Sequence, residues 1–219
     1  SKIGIAHPVR RQFDIGTDFY CNLFNWKQID SDPQYLTFGA PFSIQTKSAS
    51  APDVIFGTKD PYKWRESNIL NLFQNQIPFF IGIVAKEETS MEIYDTTGLW
   101  QIYNDVEKLN CSEIVLKPGK TKDERKNHKP TALKGWQNSK ADGISYLIDM
   151  GNQIISINDA DTKESCQNKA LVLKIAIDLE QSNITNRNIG VKCFWEIKNN
   201  EPNISVMRTG MNIRGDFGE

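Results

Sequence analysis

Apolar residues along this chain follow two rhythms, short β-prone clusters in the first half and one long helical stretch in the second. Residues 17–24 (Thr-Asp-Phe-Tyr-Cys-Asn-Leu-Phe) are rich in aromatic and β-prone types and predict a strand. The polar stretch 25–33 reads as a turn. Residues 34–38 and 41–47 read as two further strands, separated by a break at Gly39-Ala40-Pro41. Asp60-Pro61 supplies a helix N-cap and a first-turn proline, and Trp64, Ile69, Leu72 and Phe73 follow at helical spacing, so a helix is expected to about Gln76. Residues 78–85 (Pro-Phe-Phe-Ile-Gly-Ile-Val-Ala) are apolar throughout, as a central strand covered on both faces would be. Residues 90–95 read as its neighbour, 98–109 as a short helix and 112–116 as another strand. The segment 117–140, with Pro118, Gly119, Pro130 and Gly135 and no period, reads as an exposed loop.

The second half predicts strands at 144–149 and 153–157 joined as a hairpin through Gly151-Asn152. A helix follows at 161–181. Its Ala170, Leu171, Val172, Leu173, Ile175, Ala176, Ile177 and Leu179 are apolar nearly all round, which predicts deep burial in a core or an oligomer interface. Strands at 191–197 and 203–208 close the chain. This order of elements defines an α+β or mixed α/β class, a central mixed sheet flanked by helices.

Composition narrows the picture. A chain of 219 residues with 39% hydrophobic and 24% charged residues is that of a soluble globular protein. No apolar run approaches the roughly 20 residues of a membrane span, so no membrane partner is expected. No basic-then-apolar leader opens the chain, and a cytoplasmic location is the expectation. Cys21, Cys111, Cys166 and Cys193 form no CxxC pair, which argues for reduced, buried thiols rather than zinc ligands. The net charge of −1 conceals a cluster: eight basic residues against two acidic ones between Lys117 and Lys140 give a local charge of about +6.

Two fragments carry candidate chemistry, Asp14-Ile-Gly-Thr-Asp18-Phe and Phe42-Ser-Ile-Gln45-Thr-Lys47-Ser. Side chains alternate along a strand, so Ser43, Gln45 and Lys47 share one face while Phe42 and Ile44 face the core. If the strand holding Asp18 lies alongside, a carboxylate, an amide oxygen and an ammonium converge. A hard divalent cation such as Mg2+ or Mn2+ takes oxygen ligands. Asp18, Gln45 and the carbonyl of Thr46 could supply them, and Lys47 could position a water or offset charge developing on a phosphate.

Gly16-Thr17-Asp18 followed by Gln45-Thr46-Lys47 resembles the GxD…QxK version of the PD-(D/E)XK nuclease signature, as in Mrr-like restriction endonucleases and related domains of prokaryotic defence systems. The stretch Pro78-Phe-Phe-Ile-Gly-Ile-Val, then Met91-Glu-Ile-Tyr94, is similar to the strands that come after QxK in those families. The resemblance covers about residues 10–108. It implies a restriction-endonuclease-like sheet, with residues 1–110 as the nuclease-fold core and 111–219 as an extension packed on the same domain. It further implies Mg2+- or Mn2+-dependent hydrolysis of DNA phosphodiester bonds by Asp18, Gln45 and Lys47. The partners it implies are DNA and a second copy of the chain or other defence-system subunits.

One departure bears on activity. Such domains carry a glutamate on a helix ahead of the first motif, whereas residues 1–13 contain no Asp or Glu. Asp14 is the nearest substitute and Glu66 a more distant one. A single charged ligand predicts weak metal binding. It also leaves an alternative, an inactive nuclease fold serving as a nucleic-acid-binding or assembly module. The basic residues Lys120, Lys122, Arg125, Lys126 and Lys129 are candidates for phosphate contacts in either case.

Overall fold

The computed structural model describes residues 3–9, 17–25, 37–50, 52, 54–56, 75–101, 111–118, 144–150, 153–198 and 201–206. The architecture is mixed α+β, a six-stranded mixed sheet with one long helix against it.

Eleven strands are described: β1 (Gly4–Pro8), β2 (Phe19–Asn25), β3 (Thr37–Ser48), β4 (Val54–Phe56), β5 (Phe79–Ala85), β6 (Ser90–Tyr94), β7 (Cys111–Lys117), β8 (Ile144–Asp149), β9 (Gln153–Asn158), β10 (Cys193–Lys198) and β11 (Glu201–Val206). The large sheet has the order β1-β2-β3-β5-β6-β9, and only the β3–β5 pairing is parallel. A second sheet has the order β4-β7-β8, and β10 pairs with β11 as a hairpin.

The apolar run at 79–85 sits where its composition predicts. β5 lies between β3 and β6, and Phe80 and Ile81, on opposite faces, are both fully buried. Phe42 and Ile44 of β3 lie on the Phe80 face, with the Phe42 and Phe80 rings edge to face at 5.8 Å. The long helix α1 (Lys163–Asn188) closes that core with Leu173, Ala176 and Ile177. Thr162 caps it by accepting a hydrogen bond from the Ser165 amide at 3.1 Å.

Three expectations are corrected. The break expected at Gly39-Ala40-Pro41 is instead continuous strand. Pro41 is tolerated because pairing with β5 begins only at Ser43, so its missing N–H leaves no ladder bond unmade. Gly39 is suited to its place because a Cβ there would lie 3.1 Å from the Leu23 carbonyl. The Gly151-Asn152 hairpin does not form: β8 runs parallel to β7, while β9 pairs antiparallel with β6 in the other sheet. The helix expected at 98–109 begins as a short 3-10 turn, Thr97–Gln101, and its remaining residues lie outside the described set.

The third correction concerns α1, which is neither as short nor as buried as its pattern predicts. Leu171, Val172 and Ile175 are 62%, 42% and 51% exposed. The helix also runs seven residues past 181, through Ser-Asn-Ile-Thr-Asn-Arg-Asn, which are mostly weak helix formers. Tertiary bonds hold this end. Asn183 bonds both the N–H and the C=O of Trp195, Asn186 donates to the Cys193 carbonyl, and Arg187 and Asn188 reach Asn75 and Gln76 ahead of β5.

The helix expected at 61–76 falls mainly outside the described residues. Cys21 and Cys166 are buried free thiols as expected, Cys193 is half-buried, and burial pushes the Cys21 thiol up to about 11. Among the described residues no helix is long and apolar enough to cross a membrane.

Candidate active site

β2 and β3 pair antiparallel, and their ladder ends at Phe19 opposite Ile44. The Asp18 N–H makes the last bond of that ladder, to the Ile44 carbonyl at 3.0 Å, and the Asp18 carbonyl accepts from Val9. Beyond this point no strand among the described residues pairs with β3 on its β2 side. The next β3 donor facing that side, Thr46 N–H, would be left unpaired in the sheet interior. The Asp18 carboxylate fills the role instead, with Oδ2 accepting from Thr46 N at 2.7 Å.

Two more donors meet the same oxygen, Thr46 Oγ1 at 2.6 Å and Gln45 Nε2 at 3.0 Å. This orientation of the amide follows from charge. The reverse would press its oxygen against a carboxylate oxygen. It leaves Gln45 Oε1 buried with no hydrogen-bond partner among the described residues. Gln45 is only 8% exposed, so this is a desolvated acceptor that water does not freely serve.

Ser43, two residues before Gln45, is buried and donates to the Pro78 carbonyl at 3.2 Å. Lys47, two residues after it, is half-buried. The strand rise puts its Cα about 7 Å from that of Gln45 on the same face. The structure thus brings Asp18, Gln45 and Thr46 into direct contact, with Lys47 next along the face. Asp14, Glu66, Lys120, Lys122, Arg125, Lys126 and Lys129 all lie outside the described residues.

The donor set suits a hard cation. Oδ1 of Asp18 and Oε1 of Gln45 are two oxygens, one charged and one neutral, without hydrogen bonds from described residues. Among the described residues no group of three or more His, Cys, Asp or Glu stands together.

A second polar cluster, which the helix pattern hid, lies on α1. Glu180 is 6% exposed, and its two oxygens accept from Trp100 Nε1 at 2.8 and 3.0 Å. Asn183 Nδ2 donates to it at 3.0 Å. Arg187 lies over the Trp100 ring at 5.3 Å. Burial pushes the Glu180 carboxyl up to about 7; the Asn183 and Trp100 donors oppose the rise, nearby Asp95 adds to it and Arg187 counters it. The available signal was position: Glu180 falls three and four residues from Ile177, Ala176 and Ile184, within the buried stripe.

Comparison with protein families, with curated proteins and with solved structures finds no match.

Proposed function

We propose that the chain is a nuclease-fold domain that hydrolyses DNA phosphodiester bonds with Mg2+ or Mn2+. The observation that carries this reading is the contact of Asp18 with Gln45, which leaves a buried, unpartnered amide oxygen beside a carboxylate. An antiparallel β1-β2-β3 meander sets Asp18, just ahead of β2, beside Gln45 and Lys47 of β3, and β5 then returns parallel to β3.

Asp18 and Gln45 would hold the ion, which when bound supplies a water of lowered pKa and a positive charge for the phosphate. Gln45 is buried and Asp18 is half-buried, and the ion's remaining positions would be left to water and phosphate oxygens. Lys47 projects along the same face and is placed to steady the attacked phosphate.

The test is Mn2+-dependent cleavage by Lys47→Ala. Lys47 has no hydrogen bond or ion pair with a described residue, so the variant should melt within about 0.5 kcal/mol of the parent while cleaving ~100-fold more slowly or worse. Cleavage at the parental rate would remove Lys47 from the mechanism. The second reading, a binding or assembly module without catalysis, is favoured by the donor set, in which Asp18 is the one acid among the described residues. It predicts DNA retention with no divalent-dependent product.

A further inference from the structure

We infer that Thr46 is a positioning residue, whose hydroxyl locks the Asp18 carboxylate so that its free oxygen and the Gln45 amide oxygen face a bound cation. This rests on the cation-site reading and extends it to a side chain whose backbone carbonyl alone the sequence pattern singles out.

Oδ2 of Asp18 accepts from Thr46 N, Thr46 Oγ1 and Gln45 Nε2 at 2.7, 2.6 and 3.0 Å. A carboxylate oxygen has two lone pairs, so three donors leave it no capacity for a ligand. Any outside partner of Asp18 must therefore use Oδ1. Of the three donors, the Thr46 N–H is available whatever residue stands at 46. The hydroxyl is the element that depends on side-chain choice, and it makes the shortest of the three contacts.

Its mechanical effect follows from torsional freedom. The terminal torsion of an aspartate is broad, so one hydrogen bond along the carboxylate plane leaves it free to swing. A threonine is stiff at χ1 because it is β-branched, and its hydroxyl gives the second anchor from a fixed direction. Gln45 is then set indirectly. Its Nε2 is drawn to the oxygen that Thr46 holds, and this turns Oε1 into its buried, unpartnered position. One hydroxyl thus orients two ligand oxygens on two side chains. Outer partners of this kind typically change metal affinity by about 10–100-fold.

The experiment measures Mn2+ alone, by electron paramagnetic resonance of the free ion during titration into the full chain, with melting curves in chelator. Thr46→Val keeps the shape and β preference but removes the hydroxyl, and should weaken Mn2+ binding about tenfold or more. Thr46→Ser returns the hydroxyl and should recover binding to within about threefold of the parent. Should valine prevent folding, Thr46→Ala removes the hydroxyl with less bulk and carries the same expectation. Parental Mn2+ binding by the valine or alanine variant overturns the positioning role and leaves the site itself standing. A loss that serine does not restore assigns the effect to packing and also overturns it. If the parent protein binds no Mn2+ at millimolar concentration, this inference and the cation-site reading fall together.

Discussion

Asp18 has a structural role apart from the one proposed for it in catalysis, and variants at this position have to be read with both in mind. Its carboxylate caps the Thr46 amide of β3 as well as lining the proposed cation site, so its removal costs stability beyond any loss of chemistry. Gln45 separates the two roles better. Gln45→Glu would set a second carboxylate where Nε2 now donates to Oδ2 at 3.0 Å. Without metal, two like charges this close should destabilise the fold by about 1–3 kcal/mol. Bound Mn2+ would neutralise the pair, so melting in Mn2+ should recover to the parental value or above. The measurement is a pair of thermal melts, in chelator and in millimolar Mn2+. An equal depression in both would show that no cation uses these oxygens. That Gln45 and Lys47 share a face was legible from strand alternation alone. The hydroxyl of Thr46 was not, because its partner stands 28 residues away across a strand pairing that no local pattern encodes.

Among the elements, α1 shows how a one-dimensional pattern misleads. Its apolar residues run round the whole circumference, yet Leu173 is buried and Leu171 and Ile175 are exposed. Where one face is already against a sheet, the opposite face has nothing described to cover it. The same helix buries a carboxylate. Because the folded value of Glu180, about 7, stands above its ordinary 4.5, the folded state holds this proton more tightly than the unfolded chain. Its contribution to stability is complete below about pH 4.5, is lost as pH rises towards 7 and changes little above that. The loss is on the order of 3 kcal/mol for a shift of this size. Glu180→Gln keeps an acceptor for Trp100 without the titration, so urea unfolding across that interval should show a flatter profile than the parent. Parallel profiles for the two proteins would refute the assignment. The helix itself was legible because its middle is rich in strong formers. Its last turns were not, because Asn183, Asn186 and Asn188 disfavour helix until β10 and the residues before β5 supply their partners.

For the whole molecule, the central place of β5 with β6 beside it was readable from the apolar pattern, since a run such as 79–85 fits only where both faces are covered. Membership of separate sheets was not, because turn-forming residues record only that a chain can reverse. Charge distribution is also a property at this scale. With a net charge of −1 and about +6 concentrated between Lys117 and Lys140, the proposed DNA contact would have to be local. Replacing Lys120, Lys122, Arg125, Lys126 and Lys129 with glutamine should weaken duplex binding and flatten its salt dependence by about one power of salt concentration for each phosphate no longer neutralised. Filter binding across a salt series measures this, and an unchanged slope would place the DNA-binding surface elsewhere. The assignment of β8 and β9 to different sheets has a mechanical corollary. Asp149 and Gln153 stand four residues apart, so their Cα atoms lie no more than about 14 Å from each other. Such a tether keeps the last strand of the small sheet within that reach of the border strand of the large one, whatever else holds the two together.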